Sequence, residues 1–144
     1  MLIEFPQYPF KIKEEEGRKL IFDTIRKSWL LLTPEEWVRQ NFIQYLVQVK
    51  QYPAALIAIE KEIMLGELVK RFDILIYDRN YQPWMMIECK GMQMPLNESV
   101  LEQVLRYNIS VPVPHLVITN GSYTIAFSKT EGTLERLEEL PEIL

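Results

Sequence analysis

Two neighbouring apolar stretches that carry charged residues constrain the fold of this chain most strongly. Residues 71–78 read RFDILIYD, residues 86–91 read MIECKG, and a short polar turn separates them. Apolar runs of this length on either side of a turn predict two adjacent strands of one sheet. Because side chains alternate along a strand, Glu88 and Lys90 share a face, and pairing of the strands brings Asp73 beside them.

The convergence of two carboxylates and one ammonium group predicts metal-dependent chemistry. Asp73 and Glu88 would form a hard oxygen site that suits Mg²⁺, with Mn²⁺ as a second candidate. Lys90 beside such a site can orient or deprotonate a water molecule for attack on a phosphodiester. The alternative interpretation is a solvated strand face on which the same charges form salt bridges.

Two helices are predicted on either side of these strands. Thr33 suits the N-cap, Pro34 suits the first helical position, and Glu36 completes a Thr-x-x-Glu capping box. A second helix follows the Glu-x-Lys strand and carries Gln103 and Tyr107 at a spacing of i, i+4, which places them on one helix face.

The order of these pieces resembles the PD-(D/E)xK nuclease superfamily and, more narrowly, the N-terminal nuclease domain of type I restriction endonuclease R subunits. The resemblance runs from about Thr33 to Gly121. Its matching pieces are Pro34-Glu35-Glu36-x-Val38-Arg39, Lys70-Arg71-Phe72-Asp73, Ile87-Glu88-Cys89-Lys90, Gln103-x-x-x-Tyr107 and Thr119-Asn120-Gly121. R subunits carry ATP-driven translocase domains after this module, whereas this sequence ends at Leu144. Fold and metal chemistry are therefore expected here, and ATP-dependent translocation and restriction are not.

The predicted fold is a single α/β domain over residues 1–144. The order of apolar and turn patterns along the chain predicts a mixed sheet flanked by helices, in which the two strands after the second helix meet at an Asn-Gly turn. This order matches the restriction-endonuclease-like αβββαβ core, here over about residues 33–128. Residues 1–32 would be an N-terminal β addition, and residues 129–144 an acidic C-terminal tail that ends as a helix.

The resemblance also implies roles for individual residues. Asp73, Glu88 and the backbone carbonyl of Cys89 would hold Mg²⁺, and Lys90 would position and activate water. Gln103 would orient Lys90 or the substrate.

Four further residues each keep two interpretations. Glu36 supports a water or a second metal, or it serves only as a helix cap. Arg39 contacts a phosphate, or it forms a structural pair with Glu36. Arg71 holds a phosphate near the metal, or it balances the carboxylates, and Tyr107 either contacts substrate or packs.

Composition limits the partners and the compartment. The net charge of −4 does not favour tight DNA binding by the chain alone, because such affinity comes mainly from Lys and Arg that neutralise phosphates. A single cysteine excludes an internal disulfide and suits a reducing cytoplasm, and we interpret Cys89 as a small buried residue. Without an 18-residue apolar run or the features of a signal peptide, the sequence predicts a cytoplasmic chain and no membrane span.

The sequence therefore favours a Mg²⁺-dependent deoxyribonuclease, with DNA preferred over RNA by the resemblance alone. One alternative is a nucleic-acid-binding module that keeps the fold and does not cleave. Another is an interaction subunit that docks on a larger helicase or modification enzyme through an apolar face, with Phe5 to Phe10 as the candidate.

Overall fold

The computed structural model of the chain describes residues 1–108 and 113–143, apart from the side chains of Leu65, Lys70, Tyr107 and Asn108. Within these residues the chain forms nine strands and two α-helices. In chain order they are β1 (Ile12–Glu15), β2 (Arg18–Asp23), β3 (Ser28–Leu31), α1 (Pro34–Gln44), β4 (Ile57–Leu65), β5 (Leu68–Tyr77), β6 (Pro83–Cys89), α2 (Glu98–Asn108), β7 (His115–Thr119), β8 (Thr124–Thr130) and β9 (Thr133–Leu137). None of the helices in this described part is long and apolar enough to cross a membrane.

The strands form two separate sheets. β1, β2 and β3 make an antiparallel three-stranded sheet, and β4 to β9 make a six-stranded sheet in sequence order. In the larger sheet β6 and β7 run parallel, and the other neighbours run antiparallel. The predicted mixed sheet and its α/β class are therefore confirmed, and the N-terminal β addition consists of three strands.

The two helices cover opposite faces of the large sheet. Phe42 of α1 packs in one buried cluster with Ile87 and Val117. Val104 of α2 packs in another cluster with Ile118. Since Val117 and Ile118 are consecutive residues of β7, alternation along the strand assigns the two helices to different faces.

The start of α1 follows the predicted capping pattern. The hydroxyl of Thr33 accepts a hydrogen bond of 3.0 Å from the backbone N–H of Glu36, and Pro34 is the first helical residue. A π-helical turn, Tyr45–Val49, extends the helical path beyond α1. The N-cap prediction is confirmed.

The predicted helix in the C-terminal tail is wrong, because this segment forms the strand β9. Glu131 and Gly132 both have positive φ angles, of 50° and 80°. Positive φ at both central residues is typical of the two-residue turns that match the twist of a β-hairpin. β9 consequently folds back on β8, with Lys129 opposite Leu134.

A kink in β4 lies beside Asp73 of β5. Glu60 has a φ of 50°, which is uncommon for a residue other than glycine. The ladder pairs Ile59 with Ile74 and Lys61 with Phe72, so Glu60 and Asp73 are the unpaired step between them. Backbone strain of this kind clusters at functional sites, and it directs attention to the surroundings of Asp73.

Candidate active site

The structure brings the carboxyl groups of Asp73 and Glu88 together. β5 and β6 pair Ile74 with Ile87, so the next step of the ladder sets Asp73 opposite Glu88, and opposite residues of an antiparallel pair share a face. The pKa of Glu88 is raised to about 8, because its carboxyl is buried and lies beside the charge of Asp73, with which it also shares a hydrogen bond. Burial and the neighbouring Asp73 therefore favour the protonated form of Glu88.

Both oxygens of Asp73 have protein partners. Oδ2 accepts a hydrogen bond of 2.7 Å from the backbone N–H of Cys89, and Oδ1 accepts one of 3.0 Å from Nη2 of Arg39. In an extended strand the N–H and C=O of one residue leave the same edge. The carbonyl of Cys89 therefore leaves β6 on the side of Asp73, which is the position that a metal ligand would need.

The side chain of Cys89 has a different environment. It is buried in the cluster beneath α1, and burial raises the pKa of its thiol well above the ordinary value. Since the thiolate is the reactive form, the interpretation of Cys89 as a small buried residue is confirmed.

Lys90 lies between two cavities. With Glu88 and Gln103 it lines a cavity of about 260 Å³, and with Glu35 it also lines a larger cleft of about 630 Å³. Its positive charge partly offsets the rise in the pKa of Glu88 and of Glu35. Lys90 is thus close to both carboxylates and open to the space where a substrate would enter.

Gln103 and Arg71 line the same small cavity as Glu88 and Lys90. Gln103 is exposed on α2, and its side chain lies at the site. Arg71 is also exposed, and its Nη2 lies 3.7 Å from Oε1 of Glu62. The side chain of Tyr107 lies outside the described residues.

Glu36 lines the cleft beside Glu35, but protein partners hold its carboxylate. Its carboxylate accepts hydrogen bonds from Nη2 of Arg26 at 3.1 and 3.0 Å, from Nη1 of Arg39 at 2.7 Å and from Nε2 of Gln40 at 3.0 Å. Only 5% of the residue is exposed. These contacts commit Glu36 to a structural network inside the protein.

Glu35, which the sequence analysis did not single out, is the helix carboxylate nearest to the site. Burial and the charge of Asp73 raise the pKa of Glu35, while Arg39 and Lys90 oppose the rise. The first turn of α1 offers two adjacent glutamates, and nothing in the sequence alone shows which of them turns toward the strands.

Arg39 is surrounded by carboxylates. Beyond its bonds to Glu36 and Asp73, Nη2 also lies 3.3 Å from Oε1 of Glu35. Burial lowers the pKa of Arg39, but the charges of Glu36 and Asp73 outweigh burial, so the pKa lies above its ordinary value. The structural pair with Glu36 is present, and a side chain only 5% exposed offers little surface to a phosphate.

A buried ionic network ties this site to the N-terminal sheet. Asp23, at the end of β2, accepts hydrogen bonds from Nε of Arg26 at 2.6 Å and from Nε2 of Gln40 at 2.9 Å. Burial raises the pKa of Asp23, but bonds from the backbone and side chain of Arg26 and from Gln40 more than offset this, and the pKa lies below its ordinary value. Arg26 also binds Glu36, which in turn holds Arg39. Sequence reasoning missed Asp23 and Arg26 because no local pattern connects them to the strands.

The donor set fits a hard divalent cation. Among the described residues, no three His, Cys, Asp or Glu side chains form a ready-made metal cluster. The available donors are the carboxyls of Asp73 and Glu88, together with the carbonyl of Cys89. Two neighbouring carboxyls and a carbonyl are oxygen donors, and such donors suit Mg²⁺ or Mn²⁺.

Comparison with known proteins identifies the family. No curated protein matches the chain. A family model described as the type I restriction enzyme R protein N terminus matches residues 34–143. The match begins at α1 and includes Asp73, Glu88 and Lys90, whereas β1 to β3 precede it. The chain therefore belongs to the family of the type I restriction enzyme R protein N terminus, as the order of its motifs predicted.

Proposed function

We propose that this chain is a metal-dependent DNA nuclease domain of the PD-(D/E)xK type. The observation that carries the proposal is the hydrogen-bonded pair of Asp73 and Glu88, with Lys90 opening onto the same cavity. Membership of the R protein N-terminal family supports a nuclease-related role. In this proposal α1, β4 to β6, α2 and β7 correspond to the restriction-endonuclease-like αβββαβ core.

Three groups of the chain would hold the metal. Asp73 and Glu88 supply carboxylate oxygens, and Cys89 supplies its backbone carbonyl. Mg²⁺ is the favoured ion, and Mn²⁺ also suits this donor set. When bound, such an ion stabilises charge on the phosphate and lowers the pKa of water. Glu35 adds a further carboxylate on the cleft side, where it can accept a hydrogen bond from water.

The chain's own residues would orient the reactants. Nζ of Lys90 donates hydrogen bonds to the attacking water or to the phosphate, and as a free amine it can accept a proton from that water. Water then attacks phosphorus, a P–O bond breaks, and the leaving oxygen takes up a proton. Gln103 would hold Lys90 or a phosphate oxygen through its amide, and Arg71 would place a positive charge near the phosphate.

The proposed partners are DNA and a larger restriction-modification assembly. The R protein N terminus family suggests both. With a net charge of −4, the lone chain should bind DNA weakly and with strong salt dependence. Activity is therefore expected at low salt and high protein concentration, or with a partner chain that adds basic surface.

Cleavage of supercoiled plasmid at low salt, with Mg²⁺ or Mn²⁺, tests this function. Lys90→Ala should reduce the cleavage rate about 10²–10⁴-fold and leave Mg²⁺ binding, measured by calorimetry, close to that of the parent. Lys19→Ala removes an exposed lysine of β2 and serves as the matched control. A Lys90→Ala protein that cuts at the parent rate would exclude Lys90 as the group that acts on water.

A non-cleaving binding module is the second candidate, and one observation favours it. Both oxygens of Asp73 already have protein partners, Arg39 and the N–H of Cys89, so the site is satisfied without a metal. Binding of DNA without any cleavage, together with no Mg²⁺ binding, would support this module. For the interaction-subunit alternative, Phe5 packs on Phe42 and Phe10 packs on Trp37, and both rings stay half-exposed.

A further inference from the structure

The outer face of the N-terminal sheet combines basic and aromatic side chains. The register places Lys13, Leu20 and Leu31 in one row across the three strands, and it pairs Phe22 with Trp29 in the next row. On the opposite face of β2, Ile21 and Asp23 are fully buried, whereas Lys19 at the start of the strand is exposed. The outer face consists of Lys11, Lys13, Glu15, Arg18, Leu20, Phe22, Trp29 and Leu31.

An aromatic pair with two lysines forms the centre of this face. The rings of Phe22 and Trp29 meet edge to face at a centroid distance of 5.3 Å. Nζ of Lys13 lies 4.4 Å from the centroid of Trp29, and Nζ of Lys11 lies 5.8 Å from that of Phe22. Trp29 is 38% exposed. A large aromatic side chain beside cations thus remains accessible to solvent.

The charge of this face differs in sign from that of the whole chain. Residues 11–27 contain six Lys or Arg and four Asp or Glu, within a chain of net charge −4. On the outer face three cations, Lys11, Lys13 and Arg18, stand against one anion, Glu15, whose Oε2 lies 3.1 Å from Nζ of Lys13. The face is therefore complementary to a phosphate backbone.

The outer face also continues into the candidate active site. Leu31 belongs to the face and, together with Glu35 and Lys90, lines the cleft of about 630 Å³. The face and the cleft therefore meet at Leu31. The sheet precedes the matched segment 34–143, so the family assignment does not account for the surface.

We propose that the outer face of β1 to β3 binds an unpaired DNA strand and leads it toward Lys90. Single-strand sites combine cations that follow the backbone with aromatic side chains on which bases stack. Trp29 would stack a base, and Lys11, Lys13 and Arg18 would contact phosphates. An unpaired strand is required, because the bases of a duplex are already stacked on one another. The inference rests on the proposed function only in taking DNA as the ligand.

Fluorescence anisotropy with a labelled oligothymidine of about 20 nucleotides tests the surface. Lys90→Ala serves as the parent so that cleavage does not interfere, and the buffer contains EDTA. Adding Trp29→Ala should weaken binding about 5- to 100-fold, which is the range for loss of one stacked base. Trp29→Phe keeps a ring and should bind within a few-fold of the parent, roughly half a decade, which separates stacking from misfolding.

The salt dependence tests the phosphate contacts. Adding both Lys11→Gln and Lys13→Gln should lower the slope of log affinity against log salt by about 1.4, since each single-strand contact contributes about 0.7. Lys19→Gln is the matched control, because Lys19 lies on the same sheet but pairs with Glu14 in a row of the opposite face. Its slope should stay at the value of the parent, because a side chain on the opposite face makes no phosphate contact in this proposal.

Three results would each contradict the proposal that this face binds an unpaired strand. They are no binding by the parent, equal binding by the parent and all face variants, and preference for a duplex of the same length. Cleavage assays on chains that retain Lys90 keep this test separate from the nuclease proposal. If cleavage depends on Lys90 and the face variants bind and cut normally, the proposed DNA-binding surface is excluded and the nuclease proposal is supported. If the face variants lose binding but no chain cuts DNA, the nuclease proposal is excluded and the DNA-binding surface is supported.

Discussion

At the scale of single residues, the raised pKa of Glu88 predicts a pH-dependent stability. The folded value of about 8 lies above the ordinary 4.5, so between these values the folded state holds a proton that the unfolded state has released. The stability from this carboxyl is fully present below about pH 4.5 and is lost as pH rises through 8, with a slope of at most about 1.4 kcal/mol per pH unit. Urea unfolding of the metal-free chain from about pH 5 to 9 measures it. Glu88→Gln, which stays neutral, should flatten this dependence, and an unchanged slope would contradict the assignment.

Asp73 and Glu88 should respond differently to removal. Glu88→Ala removes a buried carboxyl whose charged form the site disfavours, so it should lose Mg²⁺ affinity with little loss of stability. Asp73→Ala leaves the N–H of Cys89 and part of Arg39 without their partner, so it should lose metal affinity and also about 1–3 kcal/mol of stability. Calorimetry with Mg²⁺ and urea unfolding of both variants separate the two effects. Equal stabilities of the variants would mean that Asp73 has no supporting role in the metal-free fold.

The position of a residue could be predicted from the sequence where it depends only on the strand and turn that contain it. Strand alternation and a short turn were enough to bring Asp73, Glu88 and Lys90 together. The choice between Glu35 and Glu36 was not predictable, because the rotation of α1 depends on contacts with Arg26, ten residues before Glu36 in the chain and close to it only after folding.

At the scale of elements, the ionic network predicts that Arg26 anchors α1 to the N-terminal sheet. Arg26→Met would leave the buried carboxylates of Asp23 and Glu36 with fewer cationic partners. Removing one partner of a buried ion pair costs about 3–5 kcal/mol, and partial exposure of Arg26 should reduce this to about 2–4 kcal/mol. Urea unfolding measures the loss. Arg18→Met, an exposed control on the preceding strand β2, should change stability by no more than about 0.5 kcal/mol, and equal losses in both variants would contradict the anchoring role.

Most elements carried local signals, and the tail carried a misleading one. Thr33 and Pro34 marked the start of α1, and Asn120 and Gly121 marked the turn between β7 and β8. In the tail, Leu134 and Leu137 are three residues apart, which also fits a helix. The Glu131–Gly132 turn and pairing with β8 decide in favour of a strand. The kink at Glu60 had no sequence signal, because its backbone is set by neighbouring strands.

At the scale of the whole molecule, the first 32 residues are tied into the same structure as the matched segment. The terminal ammonium of Met1 donates a hydrogen bond of 2.7 Å to the carbonyl of Thr124 on β8. Phe5 packs against Phe42 of α1 at a centroid distance of 6.2 Å. With the Asp23 and Arg26 network, these contacts join the N-terminal segment to both α1 and the large sheet.

The chain should therefore unfold as one cooperative unit. Trp29 reports on the N-terminal sheet, and Trp84 reports on the large sheet, where it packs on Tyr52 at 5.8 Å. One variant keeps only Trp29 and another keeps only Trp84, with the other tryptophans replaced by Phe. After correction for the stability of each variant, the urea midpoints of the two fluorescence transitions should coincide, because breaking the buried network exposes charges on both sides. The urea midpoint measured by far-UV circular dichroism gives the overall stability of each variant and serves as the reference for its fluorescence midpoint. If Trp29 reports a separate transition at lower urea while Trp84 is unchanged, the sheet is an independent unit, and its outer face could open without disturbing Asp73 and Glu88.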